Sequence, residues 1–486
     1  MEKSLLETLS PTAVWTYFNQ ICQIPHTSGH EQNIGQFLLD TAEKLGLEAA
    51  RNESGNVHII KPASSGMENR PSVLLQAHMD MVGVKDAEKE FDFQKESITP
   101  LITDDGFVAA DGTTLGADNG IGMAIILAIL SDASLRHPRI KALFTVSEET
   151  SMKGAVALTA EDIDCDTAIN IDSEDIGEIC IGCAGGSSYN IVYEPDIKAV
   201  PDTGFKALEI RMSNGLGGHS GIDIHKKRLN GGGAVLSLIS SLRDEGFKVC
   251  ISDFKAGTVR NSIPSEASAV LCIPEHLIGK SINSLQDMIN RLQTKFSETD
   301  SNASFEVTRL DTLPAFMLTD EATDVVLKLK ALNTKVTEYL DDGVTPLTSC
   351  NMGVARLENN RFHFELLARY ATTEGKAGIE KKINDIVASG RAKITHYDCY
   401  TFWQPDFDSR LLKLASEEYR KLTGLDSVTT VIHAGLECGL FKKLNPKLDV
   451  ISIGPDIYGA HSTKERVRIS SVDTCYRWIQ HILESI

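Results

Sequence analysis

The sequence predicts an α/β domain with a mostly parallel sheet, interrupted by an inserted α+β domain. Three observations support this. The 486 residues exceed the roughly 250 to 300 at which a single core stops growing. Residues 10–180 alternate helices with continuous apolar strands, which is typical of strands buried on both faces of a parallel sheet. Residues 185–398 instead follow a βαββαβ order.

The first and last parts of the chain supply the α/β domain, predicted over 1–184 and 399–486. The N-terminal stretch MEKSLLETLSPTAVWTYF is predicted to be an amphipathic helix, because it lacks a continuous apolar segment and is acidic where a signal peptide is basic. The final segment returns to helix, apolar strand and C-terminal helix, and is expected to complete the first sheet. Helices are predicted near 30–46 and 119–131, with strands near 55–61, 72–78, 140–147, 167–172 and 449–454.

The inserted domain, 185–398, is predicted to contain two ferredoxin-like units in tandem. Elements of the first unit are strands near 206–213, 248–256, 262–273 and 303–310 and helices near 229–245 and 281–298. A similar order follows, with helices near 319–338 and 375–389 and strands near 349–357, 361–370 and 391–398.

Composition excludes several classes of partner. The chain has 48 Lys+Arg against 67 Asp+Glu, a net charge of −19 that repels nucleic-acid phosphates and anionic membranes. Its longest apolar stretch, at 120–130, is far shorter than the ~20 residues of a membrane span. The ten cysteines are scattered, which favours reduced thiols in a cytoplasm.

Charged side chains end several of the apolar strands. His78 ends one strand, and Asp80 lies two positions on, where it could accept a hydrogen bond from a metal-bound imidazole. Glu148 and Glu149 follow another strand, and Asp172 ends a third. Because ligands bind outside the carboxyl ends of such strands, these side chains are expected to converge there.

The His-x-Asp triplet and a further acidic residue, Asp118, also have structural explanations. A His-x-Asp triplet also occurs at 396–398 without a comparable context, and a strand end meeting a polar turn explains an isolated triplet. Asp118, in the sequence GADNG, opens a helix, where it or Asn119 could serve as the N-cap.

Together, however, the side chains predict a metal centre. Three or more carboxylates with histidine fit zinc, manganese or cobalt, and imidazole argues against calcium or magnesium alone. One carboxylate bridging two metals is the usual arrangement of a two-metal hydrolase. His461, in a glycine-rich loop after an apolar strand, could supply the second imidazole.

The order of the motifs resembles a known family. QAHMD, GADNG, SEET, NIDSE and GAHSTKE resemble the co-catalytic zinc peptidases related to carboxypeptidase G and aminoacylase. The fuller set, with GADNGIG, GGHSGIDIH and IHAGLECG, looks like the aminoacyl-histidine dipeptidase (Xaa-His dipeptidase) branch over essentially the whole chain. The resemblance implies a zinc-peptidase catalytic domain with the inserted domain as a lid.

The resemblance implies a role for each residue of the centre. His78 and Asp172 would hold one Zn²⁺, Glu149 and His461 the other, and Asp118 would bridge the two. Asp80 would orient His78, and Glu148 would be the general base. Independently of the family, a carboxylate beside a metal-activated water is suited to passing its proton to the leaving amine.

Outside the metal centre, the resemblance assigns His219 to oxyanion stabilisation. Arg369 and Asn261 would bind the C-terminal carboxylate of the substrate. A rim salt bridge for Arg369 and a turn for Asn261 are the structural alternatives. His433 and Glu437 are expected to line the substrate end of the site.

The resulting prediction is a cytoplasmic metallodipeptidase with two Zn²⁺ per subunit, replaceable by Co²⁺ or Mn²⁺. It would hydrolyse unblocked dipeptides, including Xaa-His (carnosine-like) substrates. The alternatives are an N-acyl-amino-acid deacylase or carboxypeptidase with the same metals, and a non-catalytic peptide-binding relative. A serine hydrolase is disfavoured because the chain has no GxSxG motif. The resemblance also implies a homodimer, although a doubled lid could imitate dimer pairing within one chain.

Overall fold

The computed structural model describes residues 5–333 and 335–486, and the chain divides into two compact units. Unit 1 comprises Met1–Gly182, Pro405–Val431 and Leu436–Ile486, and unit 2 comprises Cys183–Gln404 and Ile432–Gly435. The short return of the chain to unit 2 places His433 there, whereas Glu437 belongs to unit 1. The first four residues of the predicted N-terminal helix lie outside the described residues.

The helices are mostly amphipathic, with one apolar face packed on a sheet. In chain order they are α1 Thr12–Cys22, α2 Gln32–Leu45, α3 Ala117–Ser131, α4 Glu148–Ser151, α5 Lys153–Val156, α6 Gly231–Asp244, α7 Ile278–Lys295, α8 Asp320–Leu329, α9 Thr373–Ser389, α10 Arg410–Thr423, α11 Glu437–Leu444 and α12 Ile469–Ser485. Short 3₁₀ turns cover Leu5–Thr8, Ile224–Lys226, Glu275–Leu277 and Lys330–Leu332.

The strands form two main sheets, one for each unit. In chain order they are β1 Glu48–Arg51, β2 Val57–Lys61, β3 Val73–His78, β4 Pro100–Ile102, β5 Phe107–Ala110, β6 Ile140–Thr145, β7 Thr167–Ile171, β8 Glu178–Cys183, β9 Gly185–Tyr193, β10 Ile197–Ala199, β11 Phe205–Ser213, β12 Cys250–Ala256, β13 Ala267–Pro274, β14 Ser304–Leu310, β15 Phe316–Leu318, β16 Lys335–Tyr339, β17 Pro346–Glu358, β18 Arg361–Tyr370, β19 Lys393–Tyr400, β20 Val428–Ile432, β21 Asp449–Ile453, β22 Ile457–Tyr458 and β23 Arg466–Arg468.

The main sheet of unit 1 has the order β1-β2-β6-β3-β7-β21-β8-β20. Its four central strands, β6, β3, β7 and β21, are parallel, and antiparallel strands flank them. Every residue of β3 and β6 is buried, as is the apolar helix α3 from Ile121 to Leu130. The α/β fold is confirmed, and its parallel part brings the carboxyl ends of β3, β6 and β7 to one edge.

Unit 2 contains two βαββαβ halves that share one sheet. The order β14-β11-β13-β12-β17-β18-β9-β19 gives each half the 4-1-3-2 arrangement, and β12 pairs with β17 where the halves meet. The first strand of the second half is β9, which precedes the whole first half in the chain. The apolar faces of the strands pack against α6, α7, α8 and α9 to form one core.

The predicted helix over 319–338 is wrong at its end. Helix α8 stops at Leu329, and residues 335–339 instead form strand β16, which pairs with β17. The sequence KVTEY alternates in exposure along this strand. Pairing with β17 satisfies its backbone, and this tertiary interaction overrides the helical pattern that precedes it.

Among the helices of the described residues, none combines the length and the apolar character needed to cross a bilayer.

At the junction between the two halves of unit 2, one added methyl group is predicted to lower the stability of the protein. Gly257 follows β12 with φ +65°, and a Cβ there would overlap the carbonyl oxygen of Gly353 on β17. Gly257→Ala should lower the free energy of unfolding by more than about 1 kcal/mol, because a left-handed backbone with a Cβ alone costs about this much. Urea denaturation measures the change.

The matched control is Gly279→Ala on α7, where a Cβ meets nothing within 4 Å. That substitution should leave stability unchanged or raise it by up to about 1 kcal/mol, because Ala favours a helix over Gly. Equal destabilisation by both substitutions would contradict the role given to the Gly257 junction.

Candidate active site

The predicted metal ligands of unit 1 meet at the carboxyl edge of its parallel strands. The Nε2 atom of His78, at the end of β3, lies 3.0 Å from Asp118 Oδ1 and 3.4 Å from Asp172 Oδ1. Asp118 begins α3 and Asp172 directly follows β7. The ligand atoms of His78, Asp118 and Glu149 lie within 4.8 Å of one another.

The two oxygens of Asp118 face two different imidazoles. Oδ1 faces His78, whereas Oδ2 lies 3.3 Å from Nε2 of His461. The same His461 nitrogen is 2.9 Å from the Glu149 carboxylate. His461 reaches this position from a loop in which its own backbone is left-handed, with φ +62°. Asp118 therefore stands between two ligand groups, His78 with Asp172 and His461 with Glu149.

The hydrogen bonding of His78 tests whether a cation fits. Its Nδ1 lies 2.9 Å from the backbone carbonyl of Asp80, which can only accept, so Nδ1 carries the proton. In the neutral ring, Nε2 then presents a lone pair to the oxygens of Asp118 and Asp172. A cation between these atoms satisfies all three, and the donor set of imidazole and carboxylate fits Zn²⁺ or a similar ion.

The charge balance around His461 supports the same conclusion. Hydrogen bonds to Asp118 and Glu149 raise the pKa of His461 to about 11. Positive charge is therefore strongly stabilised beside these two carboxylates.

Asp80 connects His78 to the turn that carries both glutamates. Its carboxylate lies 3.4 Å from Nδ1 of His78 and accepts hydrogen bonds from the backbone N–H groups of Glu148 and Glu149 at 2.9 and 3.2 Å. Ser28 donates a further hydrogen bond to it at 2.7 Å. The backbone carbonyl of Asp80 is thus closer to His78 Nδ1 than its carboxylate is, and the carboxylate holds the neighbouring turn. The orienting role of the carboxylate stays a prediction.

The buried Glu31 holds the same turn from the other side. It accepts hydrogen bonds from the backbone N–H and the hydroxyl of Ser147, at 2.9 and 3.0 Å, where the Ser147 backbone is left-handed at φ +54°. Sequence reasoning missed Ser28 and Glu31, since their partners lie 52 and 116 residues away.

Asn119 hydrogen-bonds a predicted metal ligand. Its side-chain amide donates to Asp172 Oδ1 at 2.7 Å. Element α3 starts after Gly116 but is kinked at Asp118 and Asn119, so its regular part begins after these two residues and the capping alternative stays a prediction. The backbones of both residues are non-helical, which turns their side chains to the site.

Two further glutamates lie near the predicted ligands, Glu148 half-buried and Glu437 fully buried. Burial raises the pKa of Glu148 well above its usual range, with Asp172 and Glu437 adding to the rise and His78 opposing it. Glu437, at the start of α11, accepts hydrogen bonds from Gln76 at 2.5 Å and Thr145 at 2.9 Å, and burial raises its pKa to about 7. Glu437 can therefore hold or release a proton near neutral pH, and Glu148 holds a proton more readily than an exposed carboxylate does.

A second cluster of predicted site residues lies in unit 2, around Arg369. This guanidinium is 3% exposed, donates to the hydroxyl of Tyr400 and lies 5.8 Å above that ring. Within residues 5–333 and 335–486, no carboxylate lies within 4 Å of Arg369. A buried cation without a counter-charge is suited to binding a ligand anion, and Arg binds carboxylates in a bidentate manner.

The hydrogen bonds of His219 show which of its ring nitrogens carries the proton, and that N–H lies beside the N–H groups of Arg369. Its Nδ1 accepts the backbone N–H groups of Gly221 and Ile222, at 3.3 and 3.1 Å, so the proton is on Nε2. Nε2 lies 3.2 Å from Nη2 of Arg369, which also donates. An oxygen of a ligand could accept from both groups.

The remaining residues predicted in unit 2 surround this pair. The Nε2 atom of His433 lies 2.7 Å from the Ser349 hydroxyl. Asn261 is exposed, and its backbone carbonyl accepts the N–H of Ser220 at 2.9 Å. Sequence reasoning missed Tyr400 and Ser349, for which no local motif signals a role.

Burial and the Arg369 charge keep both histidines neutral. They lower the pKa of His433 to about 3 and that of His219 to about 4. Burial is the larger cause in each case.

Comparisons with known proteins identify the family of the chain. The profile of the peptidase family M20/M25/M40 matches residues 74–485. The chain belongs to this family, so it is a hydrolase of peptide bonds, and the resemblance inferred from the motifs is confirmed.

Individual relatives cover nearly the full chain. The sequence is 36% identical to the cytosol non-specific dipeptidase of Escherichia coli over 99% of both chains. The structure matches an aminoacylhistidine dipeptidase from Vibrio alginolyticus with a TM-score of 0.92 and 34% identity, over 99% of this chain and 98% of that one. A Staphylococcus aureus tripeptidase shares the fold, with a TM-score of 0.57 and 18% identity over 98% of each chain.

The lowered pKa of His433 predicts a specific pH dependence of stability. The unfolded imidazole takes up a proton below about pH 6.5, whereas the folded one resists until about pH 3. The unfolded state therefore binds more protons within this window, and stability falls as pH falls. His433→Gln should reduce the slope between pH 6 and 4 by up to about 1.4 kcal/mol per pH unit.

Urea denaturation at several pH values measures this slope for the wild type and the variant. His363→Gln, on the half-buried face of β18, is the matched control. Identical slopes for the wild type and His433→Gln would contradict the neutral, buried state of this ring.

Proposed function

We propose that the protein is a dinuclear zinc dipeptidase that hydrolyses unblocked dipeptides, including Xaa-His substrates of the carnosine type. The observation that carries the proposal is the division of the two Asp118 oxygens between His78 and His461. One carboxylate shared between two ligand groups is the arrangement of two-metal hydrolases. The names of the Escherichia coli and Vibrio alginolyticus relatives support dipeptides as the substrate class.

The residues that would hold the two ions follow from the contacts. His78 and Asp172 would hold one ion, His461 and Glu149 the other, and Asp118 would contribute an oxygen to each. When bound, two such ions polarise the scissile carbonyl and acidify water. Zn²⁺ is the proposed ion, with Co²⁺ or Mn²⁺ as substitutes.

Glu148 would act as the general base. Its carboxylate would take a proton from water and pass it to the leaving amine of the peptide. The hydrogen bonds that Asp80 accepts from the backbone N–H groups of Glu148 and Glu149 keep the base next to a ligand. The raised pKa of Glu148 makes its carboxylate a stronger proton acceptor than that of an exposed glutamate.

In unit 2, Arg369 would bind the C-terminal carboxylate of the peptide. The Nε2–H of His219 would donate to the oxyanion that forms at the scissile carbonyl. Asn261 and His433 would line the part of the site that binds the substrate carboxylate. Glu437 would lie beside the metal ligands of unit 1.

A cytosolic location is part of the proposal, supported by the Escherichia coli relative, a cytosol dipeptidase. The homodimer stays a prediction from the family resemblance. An N-acyl-amino-acid deacylase or a carboxypeptidase remains the second candidate, because it would use the same ligands. Hydrolysis of Ala-His but not N-acetyl-Ala-His would favour the dipeptidase, and the reverse preference would contradict it.

The division of roles in the metal centre predicts two distinct mutant phenotypes. Glu148→Gln should reduce kcat by at least about 10²-fold, the usual scale of acid–base catalysis, while the metal content stays near that of the wild type. Asp118→Asn should lose both activity and metal. Mass spectrometry of metal content, with turnover of Ala-His on the same samples, measures both properties.

Chelation should abolish the activity of the wild type, and Zn²⁺, Co²⁺ or Mn²⁺ should restore it. Full activity in excess chelator, with metal shown to be absent, would end the metallopeptidase proposal. Equal metal loss in the two variants would contradict only the assignment of Glu148 as base.

The Arg369 assignment predicts a loss that depends on the substrate carboxylate. Arg369→Met should reduce kcat/KM for Ala-His at least tenfold, because a charge-assisted hydrogen bond contributes about 1.5 to 3 kcal/mol. The same variant should barely change kcat/KM for Ala-His amide, which lacks the carboxylate.

Arg361→Met provides the matched control, since Arg361 lies on the same strand but its side chain is exposed. It should leave both substrates unaffected. If Arg369→Met reduced hydrolysis of the acid and the amide equally, Arg369 would have a structural role instead.

A further inference from the structure

Glu465 is a buried carboxylate that has no place in the mechanism above. It is 3% exposed and lies four positions after His461 in the sequence HSTKE. Its side chain accepts hydrogen bonds from the backbone N–H groups of four consecutive residues, Leu115, Gly116, Ala117 and Asp118, at 2.7, 3.0, 2.7 and 3.2 Å.

These four amides form the turn that leads into Asp118. Gly116 has φ +72°, and its left-handed backbone helps the successive N–H groups point to one side, as in anion-binding turns. A Cβ at Gly116 would lie 2.8 Å from Sδ of Met81. The turn therefore has a fixed shape with an acidic side chain at its centre.

The charge of Glu465 is balanced by these amides alone. In the described part of the chain, no Lys, Arg or His lies within 4 Å of its carboxylate. Since a buried carboxylate without such donors is costly, the 115–118 turn and the loop that carries Glu465 stabilise each other.

The position of Glu465 links two ligands that come from distant parts of the chain. Asp118 is the last residue of the 115–118 turn. His461 lies on the loop with Glu465, 343 residues from Asp118. The contact between Asp118 Oδ2 and His461 Nε2, at 3.3 Å, depends on how these two segments are held together. Glu149, the other partner of His461, is held separately by Asp80.

We infer that Glu465 is a positioning residue for the metal centre: its carboxylate holds the Asp118 turn against the His461 loop and so sets the affinity of the ion held by His461, Glu149 and Asp118. This inference rests on the proposed dinuclear function. Residues that orient metal ligands typically change metal affinity by about 10–100-fold when they are replaced.

Glu465→Gln is the informative substitution because it keeps size and shape. The glutamine has one acceptor oxygen, and its NH₂ group would face N–H donors of the turn. Glu417→Gln is the matched control, since Glu417 is an exposed glutamate in the same unit that pairs with Lys421.

The first measurement uses metal-free protein. Amide hydrogen exchange over a peptide containing residues 115–118 should be at least tenfold faster in Glu465→Gln than in the wild type. Exchange in Glu417→Gln should be unchanged. Unaltered exchange in Glu465→Gln would overturn the inference, because the four hydrogen bonds would not be needed to protect the turn.

The second measurement titrates Zn²⁺ against a competing chelator. Glu465→Gln should bind one of two ions about 10–100-fold more weakly and the other with a smaller loss, because Asp118 would contribute to both ions and His461 to only one. At limiting Zn²⁺, kcat for Ala-His should fall with little change in KM, and excess Zn²⁺ should restore it. Two unchanged affinities, or an equal loss of both, would overturn the inference and indicate a purely structural residue.

The wild type distinguishes failure of this inference from failure of the proposed function. If the wild type bound no second ion in the titration, the dinuclear proposal itself would fail. If it bound two ions and Glu465→Gln did the same with equal affinities, only the positioning role would fail.

Discussion

The structure depends on the concentration of negative charge at one edge of a buried sheet. Five carboxylates, of Asp80, Asp118, Glu148, Glu149 and Asp172, lie around two imidazoles where β3, β6 and β7 end. Mutual repulsion and burial oppose such a cluster, unless hydrogen-bond donors and cations compensate. The surroundings are accordingly rich in donors, with backbone amides and polar side chains directed at the carboxylate oxygens of Asp80 and Asp172.

Unit 2 presents the opposite electrostatic situation. Among the described residues Arg369 is buried without a carboxylate partner. The nearby His219 and His433 remain neutral because of their burial and, to a lesser extent, the charge of the guanidinium. A site that accumulates donors and one fixed positive charge suits a small anion. The two clusters thus have opposite charge, acidic in unit 1 and basic in unit 2.

The sequence was most informative where chemistry is local. An apolar strand followed by a charged residue identifies His78, Glu149 and Asp172, because parallel strands end at a common edge. The identity of the residues that hold these ligands was not predictable, since a glutamate such as Glu31 or Glu465 is usually solvated and its amide partners lie far along the chain. Asn119 lay within a recognised motif, but its partner Asp172 could be known only from the fold.

The same limitation applied to the strands of unit 2. A βαββαβ pattern read along the chain assumes contiguous elements, whereas β9 is separated from the rest of its half by the complete first half. Lys335–Tyr339 continued a helical pattern and became a strand because the edge of β17 was available. In both cases pairing between distant segments decided the outcome.

The order of strands in unit 1 has a consequence for biosynthesis. Strand β21, from the last part of the chain, lies between β7 and β8, which are made much earlier. During translation the sheet therefore stays open at an interior position until residues 449–453 leave the ribosome, and His461 follows them. A nascent chain thus carries His78, Asp118, Glu149 and Asp172 long before His461 can join them.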